Sequence, residues 1–132
     1  MSDVLTDRDR LYLESKGFAF EAVIEANMIC VVIKSFALPA GYEPERSDLL
    51  LRLPLQFPDV PPDMFWMDPP VRYAGGVVPP ATDLLERYVG RQWQRWSRHF
   101  GMSTWRPGVD ELRSYLRLIK ATLERERPAN AA

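Results

Sequence analysis

Within the stretch WQRWSRHF, residues 93–100, Ser97 and His99 are the two side chains whose types could act on an acyl group. A serine hydroxyl attacks a carbonyl only when a base removes its proton, and an imidazole titrates near neutrality, where that task is done. His99 is the only histidine in the chain, and between residues 70 and 108 the aliphatic hydroxyls are Thr82, Ser97, Ser103 and Thr104. Spacing sets a condition. On a helix, residues two apart point about 200° from each other, whereas on an extended segment they share a side. Direct cooperation of Ser97 with His99 therefore requires a non-helical chain at 97–99, and Gly101 allows a loop there. The same residues also fit an amphipathic helix. Trp93, Trp96 and Phe100 fall at i, i+3 and i+7, which would leave His99 as a surface or packing residue.

Other chemistries find less support. Cys30 is the one cysteine, with no CxxC or Cys/His cluster, so the sequence calls for no metal and no cofactor. Free cysteine is among the most buried residue types, and nothing beside Cys30 in sequence activates a thiolate. A free-standing Ser-His hydrolase lacks any GxSxG-like elbow, and Asp59, Asp63, Asp68 and Asp83 all stay open as orienters of the histidine. Arg87, Arg91, Arg95 and Arg98 thread between aromatics, as in a single-strand stacking patch. The net charge of −1 argues against nucleic acid and anionic membrane as partners. Arg91, Arg95 and Arg98 are better placed to meet an acidic protein partner. The polar start MSDVLTDRDR and the absence of a long apolar run lead to the expectation of a soluble, cytoplasmic protein.

These residues need a scaffold, and 132 residues suffice for one domain, expected to span 1–132 with a frayed tail from about 127. Residues 3–16 suit a first helix ended by Gly17. FAFEAVIEA (18–26) alternates like a half-buried strand, with Phe18, Phe20, Ala22 and Ile24 on one face. After a turn at Ala26-Asn27, MICVVIKSFAL (28–38) reads as a central strand buried on both faces. DLLLRLPL (48–55) gives a third strand and residues 64–67 a short fourth, fenced by prolines. Asp83 and Glu86 resemble a capping box for a short helix over Leu84, Leu85 and Tyr88. Asp110 can cap a final helix whose stripe is Leu112, Tyr115, Leu116, Ile119 and Leu123. The expected fold is α+β: an N-terminal helix, a four-stranded antiparallel meander and C-terminal helices.

Within that order LLLRLPLQFPDVPPDMFWMDPPV (49–71) resembles the core of ubiquitin-conjugating enzymes, in which a third strand runs into FP and PP steps before a fourth strand. Phe57-Pro58 and Pro61-Pro62 match those steps, and the resemblance covers roughly residues 5–126. WQRWSRH followed by WRPGVDELRSYLRLIK is similar to a divergent bacterial branch of this UBC fold, found in operons with a ubiquitin-like protein, an activating enzyme and a deubiquitinase-like peptidase. The resemblance implies a transferase that accepts the ubiquitin-like C-terminus from the activating enzyme and passes it to a target protein; as to process, it suggests antiviral defence. Such enzymes hold the acyl group on a cysteine after a His-Pro-Asn motif. This chain has no His-Pro-Asn, and no cysteine between the fourth strand and the last helix. Ser97, assisted by His99, is then the candidate carrier, as an oxyester. The other outcome is a catalytically inactive module that only binds the ubiquitin-like protein or the activating enzyme.

Overall fold

The computed structural model describes residues 4–100 and 104–128, so Gly101 and Ser103 lie outside the described residues, as does most of the tail. Helix α1 spans Asp7–Ser15, with the Thr6 side chain accepting from the Asp9 amide at its start. Its end is a Schellman turn: Gly17 adopts φ 75°, its N–H donates to the Glu14 carbonyl, and the Phe18 N–H reaches back to the Leu13 carbonyl. Glycine takes that left-handed conformation without the clash a Cβ would bring.

Strands β1 (Phe20–Glu25) and β2 (Met28–Ala37) form a hairpin through Ala26-Asn27, both at positive φ as a primed turn requires. After the two-residue β3 (Tyr42–Glu43), β4 (Arg46–Pro54) pairs with β2, and β5 (Phe65–Asp68) pairs with β4. Two-residue β6 (Arg72–Tyr73) pairs only with β3. Residues 83–88, whose Asp83/Glu86 spacing resembles a helix cap, instead give strand β7 (Leu85–Tyr88), which turns through Val89-Gly90 into β8 (Arg91–Trp96). The main sheet is therefore six-stranded, β1-β2-β4-β5-β8-β7, where a four-stranded meander was expected. Among the described residues a single α-helix, α2 (Leu112–Glu126), follows the strands rather than several.

Alternation assigns each strand residue to a face. Ile29, Val31, Ile33, Leu49, Leu51, Leu53, Phe65, Met67 and Trp96 join the core under the helices, where the whole expected stripe of α2 is buried. Ile24, expected on the same face as Phe20 and Ala22, is exposed, and so is Leu55, just past the end of β4. Cys30, Val32, Leu50, Trp66 and Trp93 point to the other face and form a second core. That face is closed by the chain itself. Tyr88 and Val89 pack against this second core, and the Val89 N–H donates to the Glu25 carboxylate at 3.1 Å. The curl thus brings the tip of the β7–β8 hairpin back to β1, at the opposite edge of the sheet. Arg91 secures it further with hydrogen bonds to Asp48 and Asp68, at 3.0 and 2.8 Å. These two acids face each other across β4 and β5 and would repel without it.

Candidate functional site

Strand β8 carries the candidate residues out of the sheet. Its last ladder partners are Phe65 and Trp96, and one further bond, from the Met64 N–H to the Arg98 carbonyl, keeps the chains together. The backbone at 97–100 belongs to no helix, so the geometric condition on Ser97 and His99 is met. Trp93, Arg95 and Ser97 follow the strand's alternation on one side, and Trp96 and Arg98 on the other. The Arg95 Nε accordingly donates to the Ser97 hydroxyl at 3.1 Å, and the Arg98 guanidinium lies over the Trp96 ring at 4.9 Å.

The two residues nevertheless meet different partners. His99 Nδ1 sits 2.8 Å from the Asp63 carboxylate, and both side chains are exposed. Of the four aspartates left open by the sequence, Asp63 is the one that orients the histidine. Its place follows from the extension of β5 and β8, which sets residues 63–64 beside 98–99. Tyr115 of α2 fixes the same corner, donating its hydroxyl to the Met64 carbonyl at 2.6 Å. Burial, reinforced by the nearby Asp63 charge, pushes the Tyr115 hydroxyl far above its ordinary range, so it stays a donor. Ser97 is half-buried, and its N–H donates to the Ala81 carbonyl. No hydrogen bond joins Ser97 to His99 among the described residues.

Their partners Arg95 and Asp63 line a pocket of about 440 Å³ together with Val60, Pro62, Met64, Trp66, Glu86 and Tyr88. Glu86 organises its polar wall, accepting from Trp66 Nε1 at 2.9 Å and from Arg95 at 3.0 Å. The Arg52 guanidinium stacks on Tyr88 at 3.9 Å. Asp63 lies on the rim, so the His99 pair and, through Arg95, the Ser97 hydroxyl flank one cavity. Sequence reasoning did not single out Glu86, Tyr115 or Glu126 for this site, because each acts through a contact distant in sequence.

The three arginines proposed for a partner already hold internal acids: Arg91 with Asp48 and Asp68, Arg95 with Glu86, and Arg98 with Glu126. The last pair is bidentate, with both bonds at 2.7 Å, and fastens the Ser97 segment to α2. Cys30 is fully buried in the second core. Burial pushes its thiol up, only partly offset by Arg52, which disfavours the thiolate. No group of three potential metal ligands exists among the described residues, and no helix there is long and apolar enough to cross a membrane.

Against known families, the model of prokaryotic E2 family E matches residues 5–126. The chain belongs to prokaryotic E2 family E. This membership covers α1, all strands and α2, and assigns the protein in general terms to ubiquitin-conjugating-like chemistry, with a ubiquitin-like protein and an activating enzyme as its kinds of partner. No curated protein and no solved structure matches the chain. The β7–β8 hairpin packs its tip on the second core, and β8 ends at Trp96, immediately before Ser97.

Proposed function

We propose that this family E protein accepts the C-terminus of a ubiquitin-like protein from its activating enzyme, holds it as an oxyester on Ser97 and passes it to a target amine. The observation that carries the reading is the extended 97–99 segment, pinned between β5 and α2, with a half-buried hydroxyl and a His–Asp pair beside one pocket. In the transfer, Ser97 Oγ bonds to the thioester carbonyl carbon, the C–S bond breaks, and the thiolate leaves. The hydroxyl proton passes to the His99 imidazole, directly or through one water, and Asp63 holds the ring in orientation. Arg95, already donating to Oγ, stabilises the negative charge as it develops on oxygen. Backbone amides take the place of the missing asparagine at the oxyanion. Arg91, Arg95 and Arg98 hold β8 in place and offer their exposed edges to the partner.

One observation favours a second reading. Ser97 and His99 are bonded to other residues and not to each other, as in a module that binds a ubiquitin-like protein or an activating enzyme without bonding to it covalently. The deciding experiment incubates the chain with its activating enzyme, ATP and the ubiquitin-like protein. The acyl-carrier reading expects an adduct that resists thiol reductants, is cleaved by mild alkali and is absent in Ser97→Ala. An adduct lost in Cys30→Ala but kept in Ser97→Ala overturns it. A stable complex with no adduct selects the binding module.

A further inference from the structure

A cluster of basic side chains without acid partners lies on the helical side of the molecule. There Lys16, Arg113, Arg117 and Lys120 make no ion pair among the described residues, unlike Arg8, Arg10, Lys34, Arg91, Arg95, Arg98 and Arg106; Arg46, Arg52, Arg72, Arg87, Arg125 and Arg127 make none either but do not line the same pocket. Three of these four, Lys16, Arg117 and Lys120, line one pocket of about 300 Å³ between α1, β2 and α2. Its apolar lining is Tyr12, Phe18, Phe36, Ala37 and Leu116, and no carboxylate lines it. Phe18 and Phe36 stack at 6.2 Å. Lys16 and Arg113 each stand 6.0 Å from the Tyr12 ring, bringing the fourth cation to the same rim. Arg113, Arg117 and Lys120 fall at i, i+4 and i+7 on α2, so one face of the helix presents them together.

We propose that this pocket docks an acidic segment of a partner protein, with one aromatic or leucine side chain seated on the Phe18–Phe36 floor and carboxylates on the Lys16, Arg117 and Lys120 rim. Charge complementarity carries the assignment. Clustered cations in a chain of net charge −1 repel one another, and an acidic segment relieves that repulsion. The volume suits one large side chain as an anchor, the usual centre of a protein interface. A concave apolar floor and the chain's net charge of −1 distinguish it from a nucleic-acid or membrane surface. The proposal is independent of Ser97, which does not line this pocket.

The test is a titration of the full ¹⁵N-labelled chain with a short peptide of aspartates and glutamates around a single phenylalanine. Expected are saturable shifts centred on Lys16, Phe18, Phe36, Leu116 and Lys120. Binding weakens by about tenfold or more in the Arg117→Glu/Lys120→Glu variant, checked for an unchanged melting temperature, and on replacing the peptide phenylalanine with alanine. A peptide with lysines in place of the acids binds the reversed-charge variant and not the original. No saturable shift overturns the proposal, as does binding indifferent to the phenylalanine. Sedimentation with phosphatidylserine vesicles that requires Arg117 and Lys120, with the peptide silent, replaces it with a lipid surface.

Discussion

Replacing Arg98 with alanine removes two charge-assisted hydrogen bonds to Glu126 and a guanidinium resting on Trp96. The ion pair is neither open nor sealed, with side chains 12% and 24% exposed. Exposed pairs contribute about 0.2–1 kcal/mol, and breaking a sealed pair costs about 3–5 kcal/mol. With roughly 0.5–1 kcal/mol for the cation over the indole, Arg98→Ala should cost about 1.5–2.5 kcal/mol. For a chain of this length that lowers the melting temperature by roughly 6–10 °C. Thermal unfolding of Arg98→Ala, Glu126→Gln and the double variant should yield a coupling of about 1 kcal/mol. Adduct formation should fall further than in Ile119→Val, a core change of comparable order that leaves the tether intact. Coupling below about 0.3 kcal/mol, or activity that follows stability alone, would refute the claim that this pair positions the Ser97 segment.

Three further outcomes follow from the same contacts. Val89 is β-branched at φ 44° in the β7–β8 turn, so Val89→Asn should stabilise by about 0.5–1 kcal/mol despite some lost packing; a lower melting temperature would show that the turn is unstrained. Asp9 is 2% exposed and accepts from the Leu112 N–H at the start of α2; burial pushes its carboxyl up. The folded state thus binds its proton more tightly than the unfolded chain, so this stabilisation is full below pH 3.8 and is lost as pH rises through the folded value. Asp9→Asn should remove that fall, and a melting difference between the two proteins that does not change with pH would contradict it. Buried Cys30 should resist Ellman's reagent until the chain unfolds, with labelling no faster than unfolding; rapid labelling of the native protein would contradict its place in the second core.

Local periodicity made part of this structure legible. The α2 stripe and the two-sided burial of β2 each lie within one segment, and both appear as expected. The hairpin did not show itself so plainly. Asp83 and Glu86 have the spacing of a helix cap, and Val89-Gly90 is not an Asn-Gly turn; only pairing with β5 and contact with Glu25 select the strands. Trp93 and Trp96 lie three apart, which suits a helix face, yet both are fully buried on opposite sides of β8. That arrangement needs a sheet covered on both faces, a property of the curl and not of the segment. Within the site, the pairing of His99 with Asp63 depends on two strands meeting across 36 residues, which left four aspartates equivalent in the sequence.

The most direct test of the central proposal is to find which residue carries the acyl group. Tryptic mapping of the alkali-sensitive adduct should place the modification on the peptide 96–98, which contains Ser97 as its only hydroxyl. Modification on the peptide 17–34, which contains Cys30, or on a lysine side chain would contradict it.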